Sequence, residues 1–228
     1  RSKTSRRTIR IMAGQPLKVI VLMGGPSEEH DVSLKSGQGA YEALRQRGYA
    51  VESVVIPREI SAEEACALVR LAVQHQGADV VFIALHGAFG EDGTIQQLCE
   101  SMHAAYTGSD TSASRLGMDK IASRQRFLEA GLEVPRWRVV DPARIGRAAP
   151  QGLRYPLVVK PSAQGSSIGV SLVARPSEFA AAVREAARHG AQVLAEEFVR
   201  GRELTVGVLG DQVLPVVEVI PKRPFFDF

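Results

Sequence analysis

"KVIVLMGG", residues 18–25, holds an unbroken apolar run from Val19 to Met23 and ends on two glycines. The run is far too short to cross a bilayer. It reads as a strand buried on both faces that enters a tight turn. A strand of that kind belongs to a parallel sheet, and the following residues supply the crossovers. "SLKSGQGAYEALRQRG" (33–48) predicts a helix with Ser33 as N-cap and Gly48 just past its end. "AVESVVI" (50–56) reads as a strand, and "SAEEACALVRLAVQHQG" (61–77) as a helix with an acidic first turn. "DVVFIAL" (79–85) is a second fully apolar strand, and "TIQQLCESM" (94–102) a further helix. This alternation predicts a Rossmann-like open parallel sheet with helices on both faces.

Downstream the pattern changes. "DKIASRQRFLEAGL" (119–132) predicts a helix closed by Gly131, Pro135 starts a new segment, and 141–156 is loop-like, rich in Pro, Gly and Arg. Then follow strand "LVVK", a Gly/Ser loop, strand "GVSLV", helix "SEFAAAVREAARHG" and strand "QVLAEEFV". In "RELTVGVLGDQVLPVVEVI" Gly210-Asp211 lies between two β-rich runs, a hairpin signal. The expected fold class is therefore α/β: a parallel first unit gives way near residue 115 to an antiparallel-leaning α+β unit. No internal repeat or low-complexity segment is visible.

Composition is that of an ordinary globular protein of one to two domains, with 45% apolar and 23% charged residues among 228. The net charge of +3 comes from the first eleven residues, "RSKTSRRTIRI", which hold five Lys and Arg and no acid. Without them 23 basic residues face 25 acidic ones, a net of −2, which gives little support for nucleic-acid binding. Residues 1–16 are expected to be a basic extension outside the fold. Cys66 and Cys99 lie far apart, with no CxxC and no Cys/His cluster, which points to free buried thiols in a reducing compartment and to no structural zinc.

In parallel α/β sheets ligands collect beyond the carboxyl ends of the strands. Strand 18–23 delivers Gly24-Gly25 and "PSEEHDVS" to that edge, and strand 79–85 delivers His86-Gly87 and "AFGEDG". Glu29, His30 and His86 are thus expected at one crevice. The glycine spacing fails GxGxxG, so no dinucleotide fingerprint is present. His86 alone reads equally well as a satisfied loop histidine, and Glu91 and Asp92 read better as turn residues than as ligands.

"VVKPSAQGSSIGV" (158–170) offers a lysine at a strand end followed by a loop with Gly165, Ser166 and Ser167. Successive N–H groups of such a loop can converge on an anion, with Lys160 adding charge. No Walker A sequence is present, and in isolation a polar hairpin tip is the better reading. Lys120 and the carboxylates of "EEFVRGRE" (196–203) tilt the balance toward a nucleotide.

Five stretches, in order, carry a resemblance: "GGPSEEHDVSLKSG" (24–37), "ALHGAFGEDGTIQQLCE" (84–100), "YTGSDTSASRLGMDK" (106–120), "VVKPSAQGSSIGV" (158–170) and "EEFVRGRELTVGVL" (196–209). Together they resemble the D-alanine–D-alanine ligases of the ATP-grasp superfamily, over nearly everything from Lys18 onward. The resemblance implies an N-terminal substrate-binding domain over 17–114, a central ATP-grasp subdomain over 115–199, and the start of a C-terminal lobe over 200–228. By position, Glu29 resembles the acid that holds the first D-alanine's ammonium. His86 resembles the histidine near its carboxylate, and Ser166 the serine tied to that acid. Lys120 and Lys160 resemble the phosphate-contacting lysines, and Gly165, Ser166 and Ser167 the loop over the ATP phosphates. Glu196, Glu197, Phe198 and Val199 resemble the adenine-receiving hinge, and Glu203 the ribose-binding acid.

The resemblance further implies ATP as co-substrate, Mg²⁺ or Mn²⁺, a cytoplasmic enzyme of peptidoglycan precursor synthesis, and a homodimer, with neither nucleic acid nor membrane as partner. "PKRPFFDF" (221–228) resembles the start of the family's active-site flap. The rest of that flap and the Asp/Glu/Asn metal cluster are not found, so no metal ligand is expected in this chain. The sequence reads as a partial ligase, inactive by itself. The alternatives are a non-catalytic nucleotide- or D-alanine-binding remnant, and a ligase whose second substrate is D-lactate or D-serine.

Overall fold

A computed structural model describes residues 16–145 and 150–220. The expected basic extension (apart from Pro16) and the flap-like residues 221–228 lie outside the described residues, as do 146–149 of the Arg-rich loop. Two compact units meet in sequence between Ser123 and Arg124.

In the first unit the strands are β1 (Lys18–Gly24), β2 (Ala50–Ile56), β3 (Val80–Ile83) and β4 (Ala105–Tyr106), joined in parallel in the order β2-β1-β3-β4. Central β1 explains the apolar run. Val19, Val21 and Met23 pack under α1 (His30–Gln46), while Ile20 and Leu22 point the other way, onto α2 (Ala62–Gln76) and α3 (Thr94–Ser101). Both faces are thus covered, as alternation along a strand buried between two helical layers requires. Burial pushes the Cys99 thiol in α3 up to about 12, which keeps it protonated and inert. Cys66 in α2 is only partly buried, and its thiol too is raised by burial.

Helix α2 follows its sequence signals closely. The Ser61 hydroxyl accepts from the Glu64 N–H, the Glu64 carboxylate accepts from the Ser61 N–H, and Gly77 ends the helix in the left-handed conformation. Helix α1 does not. It starts at His30, three residues ahead of the expected cap, and Ser33 is fully buried within its first turn. The hydroxyl of Ser33 is used for a tertiary tie instead of a cap. Three other expectations shift: β3 stops at Ile83, the last helix of this stretch is α5 (Lys120–Glu129), and α4 (Thr111–Met118) and β4 lie where no element was expected. Asp110 caps α4 through the Ala113 N–H.

The second unit carries β5 (Trp137–Val140), β6 (Leu157–Pro161), β7 (Ser171–Val173) and β8 (Val193–Glu197) in an antiparallel sheet of order β5-β8-β6-β7. Helix α6 (Pro176–Arg188) covers one face through Phe179, Val183 and Ala186, against Leu157, Val159, Val173, Val193 and Ala195. By alternation the opposite face carries Trp137, Val139, Val158, Lys160, Leu194 and Glu196. The hairpin expected around Gly210-Asp211 is present as β9 (Glu203–Leu209) and β10 (Gln212–Val219).

Candidate functional site

Strand order β2-β1-β3-β4 reverses direction between β1 and β3, so the crevice beyond those two strands is the switch point of the first sheet. Three serines knit it. Ser33 Oγ accepts from the Gly24 N–H at 2.8 Å and donates to the Ala84 carbonyl at 2.7 Å, which clamps the two strand ends together. Ser27 Oγ donates to the His86 carbonyl at 2.8 Å and accepts from the Glu29 N–H at 3.2 Å. His30 Nδ1 donates to the Gly25 carbonyl at 2.7 Å. The structure therefore brings Glu29, His30 and His86 to one crevice.

The approach is close. Gly87 has φ +65°, and a Cβ there would lie 2.5 Å from Glu29 Oε2, so only glycine lets the carboxylate sit against this turn. Ser36 Oγ donates to the Val32 carbonyl and stands 3.0 Å from His86 Nε2. This contact ties the His86 ring to α1. His86 Nδ1 lies 3.9 Å from Glu91, whose other oxygen accepts from the Gly87 N–H. Asp92 is a turn residue, accepting from the N–H groups of Phe89 and Thr94.

In the second unit Lys160 leaves the sheet face opposite α6 and pairs with Glu196, which also pairs with Arg124. All three are mostly buried, with side-chain exposures of 16%, 8% and 12% for Lys160, Glu196 and Arg124. An ion cluster this dry is stable only when its charges are matched and held in good geometry. Half-exposed Val139 and Leu172 and partly buried Val158 supply apolar surface on the same face.

The loop after Lys160 is anchored at both ends. Ser162 N–H donates to the Gln192 carbonyl and Gln164 Nε2 to the His189 carbonyl. Gly169 has φ +68°, and a Cβ there would stand 2.9 Å from the His189 ring. Between the anchors Ser166 and Ser167 both hold positive φ, 48° and 60°, although neither is glycine. Non-glycine residues in this conformation cost backbone energy and recur at ligand-binding loops. Gly165 closes the turn by accepting from the Ile168 N–H.

Of the expected hinge, Glu196 faces the lysine, whereas Glu197 forks onto Arg136 at 2.8 and 3.0 Å. Phe198 N–H donates to the Pro156 carbonyl, Val199 is exposed, and Glu203 opens β9 exposed to solvent. Lys120 opens α5 in the first unit, where Asp119 Oδ1 accepts from the N–H groups of Ile121 and Ala122. Sequence reasoning overlooked Ser27, Ser33, Ser36, Arg124 and Arg136. The i, i+3 spacing of Ser33 and Ser36, and the i, i+4 spacing of Lys120 and Arg124, were the available signals. Among the described residues no group of three or more His, Cys, Asp or Glu could hold a metal ion, and no helix is long and apolar enough to cross a membrane.

Comparison with known proteins matches this geometry to one family. The family description "D-ala D-ala ligase C-terminus" matches residues 127–228, and "D-ala D-ala ligase N-terminus" matches 61–109. The chain is 47% identical over 213 residues to the D-alanine–D-alanine ligase of Geotalea uraniireducens, covering 92% of this chain and 65% of that protein. Among solved structures, the D-alanine–D-alanine ligase of Coxiella burnetii aligns with a TM-score of 0.76 at 26% identity, over 91% of this chain and 70% of that one. The VanG D-Ala:D-Ser ligase of Enterococcus faecalis aligns at 0.74 and 28%, over 94% and 73%. The chain thus spans about two thirds of the length of the curated relatives it matches. With the parallel switch-point crevice, the antiparallel sheet and its Gly/Ser loop all in place, the chain belongs to the D-alanine–D-alanine ligase family, with the ATP-grasp fold.

Proposed function

We propose that this chain supplies the first amino-acid site and the phosphate and adenine sites of an ATP-dependent D-alanine–D-alanine ligase. The observation that carries the nucleotide part is the buried Lys160–Glu196 pair beside a loop held in strained conformation at Ser166 and Ser167. A carboxylate is a poor acyl donor. In the proposed reaction an oxygen of the first D-alanine's carboxylate attacks the γ-phosphorus of ATP, giving an acyl phosphate and ADP. The amine of the second D-alanine then attacks the acyl carbon, and inorganic phosphate leaves.

Each residue has a part in that scheme. Glu29 pairs with the first ammonium. His86 lies beside the carboxylate of the same molecule. Lys120, Lys160 and the amides of Gly165, Ser166 and Ser167 stabilise charge on the phosphoryl group. Glu196, Glu197, Phe198 and Val199 receive adenine, and Glu203 the ribose. The described residues offer no carboxylate cluster suited to Mg²⁺ or Mn²⁺, so no step is assigned to a metal. A substrate domain over 17–114, a central subdomain over 115–199 and a lobe opening at 200 fit this division of labour. A cytoplasmic setting, a role in peptidoglycan precursor synthesis and a homodimer belong to the same reading.

Calorimetric titration of the chain with ATP and, separately, with D-alanine tests the two sites. Binding of both, with D-alanine favoured over L-alanine, is expected; binding of neither would sink the reading. Ligation assays with D-alanine, D-serine and D-lactate compared as second substrate, read as dipeptide or depsipeptide formed, identify which one is used.

A further inference from the structure

Arg124 has no part in the reading above, yet it lies within the buried cluster. Glu196 sits in β8 opposite Val158 of β6 and Trp137 of β5, and Lys160, two positions farther along β6, lies diagonally across from it on the same face. One of its oxygens takes the Lys160 ammonium and the other takes the Arg124 guanidinium. A carboxylate has about four lone-pair positions, so each oxygen keeps one for a further donor. The two cations therefore fix where those free positions point without using them up.

The two cations differ in mobility. Lys160 carries its charge on a flexible four-carbon stem, and its ammonium has three donors. An incoming phosphate can draw it away. The Arg124 guanidinium is permanently charged, largely buried, and holds one Glu196 oxygen through Nη2. When Lys160 turns toward phosphate, Arg124 is the cation that keeps the Glu196 side chain oriented in a largely water-free place.

We infer that Arg124 is a positioning residue for base selection: it holds the Glu196 carboxylate so that its free lone pairs accept from a 6-amino purine and repel a 6-oxo purine. The exocyclic N6 of adenine is a donor and the O6 of guanine an acceptor, so a carboxylate fixed in place separates the two. This rests on the nucleotide reading of the second unit.

The test is the ratio of GTP to ATP dissociation constants for the chain, measured by calorimetry for the wild type, R124Q, R124K, E196Q and the double variant. Wild type is expected to prefer ATP. R124Q is expected to lose about tenfold or more of that preference, the scale of one charge-assisted hydrogen bond. R124K, which restores the charge, should return it to within about threefold of wild type. In an E196Q background R124Q should change the ratio no further, because the carboxylate it positions is gone. An unchanged ratio in R124Q, or fully additive effects in the double variant, overturns the proposal. So does a folded R124K that binds ATP without preference, and this decides the matter if R124Q does not fold. A wild-type chain that binds no purine nucleotide overturns the nucleotide reading itself, an outcome distinct from all of these.

Discussion

At the scale of single residues, charge placement dominates. Lys160 is mostly buried, at a strand end, against a carboxylate and beside the Gly/Ser loop. On the proposed nucleotide reading, its replacement by Ala removes a charge-assisted contact of about 1.5–3 kcal/mol to phosphate, so ATP affinity should fall roughly ten- to a hundredfold. D-alanine affinity, measured in the same titration, should stay near wild type. Glu29→Gln should do the reverse, weakening D-alanine about tenfold and leaving ATP unchanged. Equal losses for both ligands would mean that Glu29 supports the fold, not the substrate. The places of Lys160, Glu29 and His86 were legible in the sequence because Lys160 lies near the end of β6, and Glu29 and His86 lie on the turns that follow β1 and β3; their roles are the ones proposed above. Ser33 was misread for a physical reason: serine beside a helix start satisfies a capping rule, but here two strand ends 60 residues apart in sequence claim its hydroxyl.

At the scale of elements, local rules and tertiary ties each leave a measurable mark. The Ser61 capping box of α2 is local, and Ser61→Ala should cost about 1 kcal/mol in urea unfolding. Glu100 at the end of α3 is a tertiary tie. It accepts from the Thr111 N–H at 3.1 Å, on α4, and from the Tyr106 hydroxyl at 2.8 Å, on β4. Those bonds, the backbone one foremost, hold its carboxyl below the ordinary value of 4.5. A folded pKa below the unfolded one means stability that is present above pH 4.5 and lost as pH falls through the folded value. Glu100→Gln should therefore flatten the acid limb of a stability profile below pH 4.5, with α3, β4 and α4 loosening least at neutral pH in the wild type. An acid limb identical in the two proteins would remove Glu100 from the account. Short β4 and α4 escaped the sequence because two residues carry no period and "TSASRLGM" has no buried residue to mark a face.

At the scale of the whole molecule, the two units hold separate cores, whereas the β9–β10 hairpin is exposed along both strands. Val206 opposite Val216, and Val208 opposite Val213, share one face with 45–68% of their surface in water. Contiguous apolar strands of this sort promote association. Sedimentation of the 228-residue chain should show concentration-dependent self-association, reduced in a Val206→Lys, Val216→Lys double variant. A wild-type chain that stays monomeric at high concentration would contradict this.

What the sequence by itself determined was the alternation of strands and helices, the position of the Gly/Ser loop and the family, because period, caps and turn residues are local. The apolar run at Val19–Met23 could be satisfied only between two helical layers. What only the tertiary structure decided was which side chains meet. The Ser33 tie to Ala84, the contact of Ser36 with His86, and the joining of Lys160 and Arg124 on Glu196 each link residues 36 to 72 positions apart. Such pairings depend on strand order and register, and a hydroxyl or a carboxylate in a one-dimensional string carries no mark of the partner that folding will bring to it.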